Sequence, residues 1–196
     1  MANTEAVIFD LGRVLVDVRL EGGLWERLRP LFEREDETFL PIYRAYASGR
    51  LSPGEFHERV CAWMKLKIAY PDFARNWCAI FSPIAGMEAL FGEVAGRIRV
   101  GLLSDTDPLH WAHIRKHHPF VQRIPDPALS FEIGALKPAP EAYLAAAAKV
   151  ALPEARCLFI DDRAENVQGA LDRGMDALRF EGEAALRLAL VARGIL

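Results

Sequence analysis

Ala6-Val-Ile-Phe-Asp10 is a run of four apolar residues ending on a carboxylate; Leu11-Gly-Arg13 then interrupts it and Val14-Leu-Val16 resumes the apolar character. A short apolar run with a polar stop reads as a strand covered on both faces, and such strands belong to parallel sheets flanked by helices. The first strand is therefore expected to stop at Asp10, with the chain looping outward beyond it.

From residue 87 the pattern alternates between helix and strand. Helices are expected over Met87–Arg97, Pro108–His117, Pro140–Val150, Ala164–Arg173 and Gly182–Ala192. Strands are expected over Ile98–Leu103, Ala128–Phe131, Arg156–Ile160 and Ala177–Arg179. This rhythm predicts an α/β fold, a Rossmann-like and mainly parallel sheet with helices on both faces. Between Val18 and Pro83 the periodicity is helical throughout, with amphipathic stretches at Leu24–Phe32, Phe39–Ala47, Phe56–Leu66 and Phe73–Phe81. The third of these has a defined start, because Ser52, Pro53 and Glu55 make a capping box with proline at the first helical position. The expected organisation is an α/β core of residues 1–17 and 84–196 and an inserted α-helical cap of residues 18–83 over the carboxyl edge of the sheet.

The 196 residues carry 24 Lys and Arg against 27 Asp and Glu, and 52% are hydrophobic. That composition suits one globular core and excludes a disordered or collagen-like chain. It leaves no cationic excess for a nucleic-acid partner. No apolar run approaches the roughly eighteen residues of a membrane span, and Met1–Ala6 lacks the basic and apolar parts of a signal peptide, so no membrane partner and a cytoplasmic location are expected. Cys61, Cys78 and Cys157 are odd in number and far apart, which predicts small packed residues rather than disulfides. Oligomeric state is left open.

In an open parallel sheet, ligands bind beyond the carboxyl ends of the strands. The polar residues found there are Asp10, Ser104-Asp105, Lys137 after the Phe131 run, and Asp161-Asp162. Taken singly, each is as readily a turn former or helix cap. Taken together, converging carboxylates repel one another unless a cation lies among them, and hard oxygen donors suit Mg²⁺ with a phosphate. Lys137 and Ser104 would then serve the phosphate, leaving one carboxylate free to attack phosphorus.

Asp10-Leu-Gly-Arg-Val-Leu15, Leu102-Leu-Ser-Asp-Thr-Asp107, Ser130-Phe-Glu-Ile-Gly-Ala-Leu-Lys-Pro138 and Phe159-Ile-Asp-Asp-Arg-Ala-Glu-Asn166 resemble, in order and spacing, the four motifs of the haloacid dehalogenase (HAD) superfamily. The helical segment falls where that superfamily places a C1-type cap. The opening and closing motifs are most similar to the sugar-phosphate phosphatase branch typified by bacterial α-D-glucose-1-phosphate phosphatase. The resemblance implies a Mg²⁺-dependent phosphomonoesterase acting on a small phosphorylated metabolite, of which a sugar phosphate is one. It implies that Asp10 is nucleophile and metal ligand, that the Gly12 carbonyl and Asp162 bind the metal with Asp161 alongside, and that Ser104 and Lys137 hold phosphate. Asn166 would orient the fourth motif.

Three positions depart from the usual pattern. Gly12 stands where most relatives carry a second aspartate as general acid, which implies a slow enzyme or one that favours good leaving groups such as an anomeric oxygen. Asp105 follows Ser104 where Asn is frequent; it is either a phosphate-side substitute donor or a cap of the next helix. Arg13 replaces Gly or Asn and either reaches phosphate or points to solvent.

Two other readings of the same residues are a 2-haloacid dehalogenase, which attacks carbon without a metal but usually opens with a different motif, and a non-enzymatic binding or regulatory protein on a degenerate core. His110, His113 and His117 have helical zinc-like spacing but no acidic partner between them, and are expected at the surface or partly packed around Trp111. Trp25, Trp63 and Trp77 are expected to pack inside the helical segment. Ser104, Asp107 and His110 lack a nucleophile elbow and are not expected to form a triad.

Overall fold

The computed structural model describes residues 4–196, so the reading of Met1 to Asn3 lies outside it. The chain begins with β1 (Ala6–Phe9) and β2 (Val16–Val18), continues through α1 (Trp25–Glu33), α2 (Phe39–Ala47), α3 (Pro53–Met64) and α4 (Tyr70–Trp77), and returns in β3 (Phe81–Pro83). There follow α5 (Met87–Ala95), β4 (Arg99–Ser104), α6 (Pro108–His117), β5 (Ala128–Leu129), the short α7 (Ser130–Ile133), α8 (Pro140–Lys149), β6 (Cys157–Asp161), α9 (Ala164–Asp172), β7 (Asp176–Arg179) and α10 (Glu183–Ala192).

Five strands form one sheet in the order β5-β4-β1-β6-β7, and every pairing in it is parallel. The α/β expectation holds. Alternation along β1 sends Val7 and Phe9 into one apolar cluster with Met87, Leu90 and Ile114, and Ala6 and Ile8 into another with Ala142, Tyr143 and Phe159. Helices thus cover both faces, and β1 is completely buried between them. Strands β4 and β5 lie on one side of β1 and β6 and β7 on the other, so the order of the sheet reverses at β1, where α/β folds place ligands.

Three boundaries differ from the sequence reading. The run expected as a strand over Ala128–Phe131 is strand only to Leu129, where the chain turns into α7 with the Ser130 hydroxyl bonded to the Ala47 and Thr106 carbonyls. The apolar Val14-Leu-Val16 does not resume the first strand: Val14 and Leu15 are buried in a turn, and β2 pairs antiparallel with β3 in a separate ribbon. The fourth helix ends at Trp77 rather than Phe81, because Phe81 pairs with Val18 in that ribbon. The ribbon is the stem from which α1–α4 emerge. These helices bury their own cluster of Trp25, Leu28, Phe39, Tyr46, Phe56 and Trp77. At the start of α3, the Ser52 hydroxyl accepts from the Glu55 amide at 3.3 Å while the Glu55 carboxylate accepts from the Ser52 amide at 2.8 Å, the capping box read from sequence.

All three cysteines are free, with Cys78 and Cys157 buried. Among the described residues no helix is long and apolar enough to cross a membrane.

Candidate active site

Parallel strands all present their carboxyl ends to one edge, so the register fixes which loops meet. Phe9 of β1 is level with Leu102 of β4 and Ile160 of β6, and the Asp10 amide continues the ladder by donating to the Ile160 carbonyl at 2.8 Å. Asp10, Ser104-Asp105 and Asp161-Asp162 therefore leave the sheet side by side. Lys137 arrives from the loop after α7. They open into a cleft of about 620 Å³ between the sheet edge and the helices α1 and α2.

Lys137 is the centre of the cluster. Its side chain is 2% exposed, and Nζ donates to Asp10 Oδ1 at 2.6 Å and to Asp161 Oδ2 at 2.7 Å. Its backbone amide donates to Asp105 Oδ1 at 2.9 Å. Burial by itself would pull the lysine down; Asp10, Asp161 and Asp105 more than reverse this and hold it as the ammonium ion. Burial pushes the Asp10 carboxyl up to about 7, against the pull of Lys137 and with added repulsion from Asp161. Asp105 and Asp162 are also raised, chiefly by burial.

The adjacent carboxylates Asp161 and Asp162 have different surroundings. Asp161 ends β6 fully buried. Its Oδ1 accepts from the Arg163 amide at 2.8 Å, and the Asn166 amide group reaches both its oxygens at 3.1 Å. Asp162 lies one residue beyond, lines the cleft, and faces Arg13 Nη1 at 4.0 Å. Asp10, Asp161 and Asp162 each bring a carboxylate oxygen within 4.8 Å of the others. Three carboxylates with one buried ammonium leave an excess of negative charge, and all-oxygen donors are those of a hard divalent cation, so the residues fit one.

Every residue singled out at the sheet edge comes to this place: Asp10, Gly12, Arg13, Ser104, Asp105, Lys137 and Asp162 line the cleft, as does Asn166, with Asp161 behind Lys137. The alternative roles as helix caps do not hold for Ser104 and Asp105. The cap of α6 is Asp107, whose Oδ1 accepts from the His110 amide at 3.0 Å, while Asp105 turns to the Lys137 backbone. Arg13 is 58% exposed at the edge of the cleft, and its backbone has φ of 61°, the left-handed region that favours Gly or Asn.

A second buried group was missed. His110 packs against Trp77, not around Trp111: the two rings are parallel within 2° with centroids 5.0 Å apart. Its Nδ1 lies 2.9 Å from Asp107 Oδ2 and its Nε2 3.0 Å from the Trp77 carbonyl, so both nitrogens have protein partners. The Trp77 indole also donates to Asp107 Oδ2 at 3.0 Å. This fully buried aspartate thus joins α6 of the sheet domain to α4 of the helical unit. Asp107 ahead of Pro108 is an N-cap signal that would have marked it. Ser104 is not part of this group, in keeping with the reading that there is no triad.

No protein-family model matches the chain. Solved structures do. A HAD family enzyme from Bacteroides thetaiotaomicron, determined as a magnesium complex, superposes with a TM-score of 0.83 at 22% identity over 95% of this chain and 98% of that one. The same enzyme in complex with magnesium and inorganic phosphate gives 0.78 at 20% identity, covering 91% and 95%. The L-2-haloacid dehalogenase of Xanthobacter autotrophicus with chloropropionic acid covalently bound gives 0.66 at 18% identity, covering 98% and 84%. The chain therefore has the HAD fold.

Proposed function

We propose that the protein is a Mg²⁺-dependent phosphomonoesterase of the HAD type acting on a small phosphate ester, with residues 18–83 serving as the cap over its active site. The observation that carries this reading is the placement of Lys137 between Asp10 and Asp161 with Asp162 beside them. Asp10 is the nucleophile, since it lines the cleft at the sheet edge and its contact with the buried ammonium orients one oxygen and leaves the other for attack. Its Oδ attacks phosphorus, the ester P–O bond breaks, and the electron pair leaves on the alcohol oxygen, which takes a proton from solvent. Water then attacks phosphorus of the aspartyl phosphate, the P–O bond to Asp10 breaks, and phosphate leaves with the carboxylate restored.

Asp10, Asp162 and the Gly12 carbonyl would hold the cation, with Asp161 behind them fixing Lys137. When bound, Mg²⁺ supplies positive charge opposite the phosphate oxygens. Lys137 adds fixed positive charge on the same oxygens, and Ser104 offers its hydroxyl to them. Asp105 serves this end by holding the Lys137 backbone, and Arg13 stands at the rim as a second phosphate-side cation. The likeness to the sugar-phosphate branch rests on motifs at the phosphate end of the cleft, whereas the alcohol meets α1 and α2.

The acidic cluster favours this reading over a dehalogenase, since attack on carbon has no need of a cation among the carboxylates. The test is phosphate release from acetyl phosphate and from a panel of monoesters, with and without a chelator, set beside halide release from 2-chloropropionate. Chelator-sensitive phosphate release supports the proposal; chelator-resistant halide release overturns it. Failure of both favours a binding protein on this fold.

A further inference from the structure

The two walls of the cleft differ in chemistry. The sheet edge carries the charged groups described above. The opposite wall, from α1 and α2, is aromatic: Trp25, Phe32 and Tyr43 line it in sequence. Their rings pack on one another, Trp25 and Phe32 stacked with centroids 6.0 Å apart and Phe32 edge-on to Tyr43 at 4.9 Å. Phe32 and Tyr43 remain half-buried although an aromatic cluster lies directly behind them; both present ring surface to the cleft, and Phe32 also lines a neighbouring depression beside Arg19 and Arg29. Leu40 extends this surface.

Hydrogen-bonding groups are scarce on this side. Glu35 and Arg44 line the cleft but are exposed, at its solvent rim. His110 lies deeper, with both nitrogens already held by Asp107 and Trp77. The Tyr43 hydroxyl is the one remaining polar handle on the aromatic wall among the described residues. A polyhydroxylated alcohol buried here would exchange its water for few partners, at a cost for each unpaired hydroxyl. A flat ring gains apolar burial and stacking instead.

The geometry points to a phosphate monoester of an aromatic alcohol, a ring bearing the ester oxygen directly or through one methylene, seated against Trp25, Phe32 and Tyr43. This rests on the phosphatase reading and specifies its substrate. The missing carboxylate at Gly12 agrees with it where the oxygen is phenolic, because such a leaving group needs little help from a general acid.

The test compares benzyl phosphate with a hexose 6-phosphate, both esters of primary alcohols, so that leaving-group basicity is matched. With Mg²⁺ present, kcat/KM for benzyl phosphate is expected to be about tenfold or more the higher, the scale of burying one ring. Equal rates, or preference for the hexose ester, overturn the inference and leave the phosphatase reading intact. In Phe32→Ala the ratio of kcat/KM for benzyl phosphate to that for acetyl phosphate is expected to fall about tenfold; an unaltered ratio overturns the assignment of the wall. Phe32→Leu, which preserves apolar volume, gives a smaller fall and replaces the alanine variant if that does not fold. Benzylphosphonate binding, followed by tryptophan emission and by its loss of response in Trp25→Phe, separates the two claims. Binding tighter than that of a hexose phosphonate, without turnover of any ester, supports the aromatic site and refutes the phosphatase.

Discussion

Lys137 Nζ lies 2.6 Å from Asp10 Oδ1, and the ion pair is closed to water on the lysine side, where the side chain is 2% exposed. The lysine therefore acts as a fixed positive charge and as a strut. Its loss leaves Asp10 and the fully buried Asp161 facing one another with no compensating charge. Lys137→Met is expected to lose about 3–5 kcal/mol of unfolding free energy at neutral pH, the cost of breaking a buried pair. Urea unfolding at two pH values checks this, and the loss shrinks in acid, where Asp10 takes up a proton.

Asp10 sets the sign of a pH effect on the metal-free protein. Its carboxyl is raised from 3.8 to about 7 by burial, so between those values the folded chain holds a proton that the unfolded chain releases. Stability contributed in this way is complete below about pH 4 and is lost as pH rises through about 7. Asp105 and Asp162, raised as well, act in the same direction. Thermal unfolding in chelator is expected to show this slope, Asp10→Asn to flatten it, and added Mg²⁺ to restore stability at the upper end by binding the ionised carboxylates.

Asp107 anchors the helical unit to the sheet domain through the Trp77 indole and His110. Asp107→Ala strands buried donors on both sides of that junction. A loss of about 2–4 kcal/mol is expected, more than one unsatisfied donor costs because three lose their acceptor, the Trp77 indole, the His110 ring and the His110 amide. Chemical unfolding followed by tryptophan emission measures it; a loss under 1 kcal/mol would mean that the junction is held by apolar packing alone.

Gly12 offers a gain-of-function test. A Cβ there meets Val18 Cγ2 at 3.2 Å, a contact that a small shift of one side chain relieves. Gly12→Asp, alone or with Val18→Ala, is expected to raise turnover of alkyl phosphates by about tenfold or more, through general acid catalysis that is commonly larger still. Acetyl phosphate, whose leaving group needs no proton, responds little. Initial rates on an alkyl phosphate and on acetyl phosphate provide the comparison.

Local order was legible where one residue's neighbours in sequence are also its neighbours in space. β1 is a buried run with a polar stop, and the α3 cap is complete within Ser52–Glu55, so both are visible in the local sequence. The sheet-edge residues were legible because parallel register brings strand ends together whatever the connecting chain does. The β2–β3 ribbon was not, since Phe81 becomes a strand residue only by meeting Val18 across the whole helical unit. For His110 the sequence offers only a place at the surface or partly packed around Trp111, because helical periodicity says nothing of Trp77, which arrives from another helix. Asp161 and Asp162 are identical letters in the sequence. Strand alternation separates them, turning one inward to Lys137 and the other toward the cleft.

The most direct test is to quench the protein with acid during turnover of acetyl phosphate in Mg²⁺ and map the phosphoryl group by mass spectrometry. The mechanism predicts a hydroxylamine-labile adduct on the peptide containing Asp10, absent in Asp10→Asn and absent when the cation is chelated. Phosphate release that persists in Asp10→Asn, or an adduct on any other residue, contradicts it.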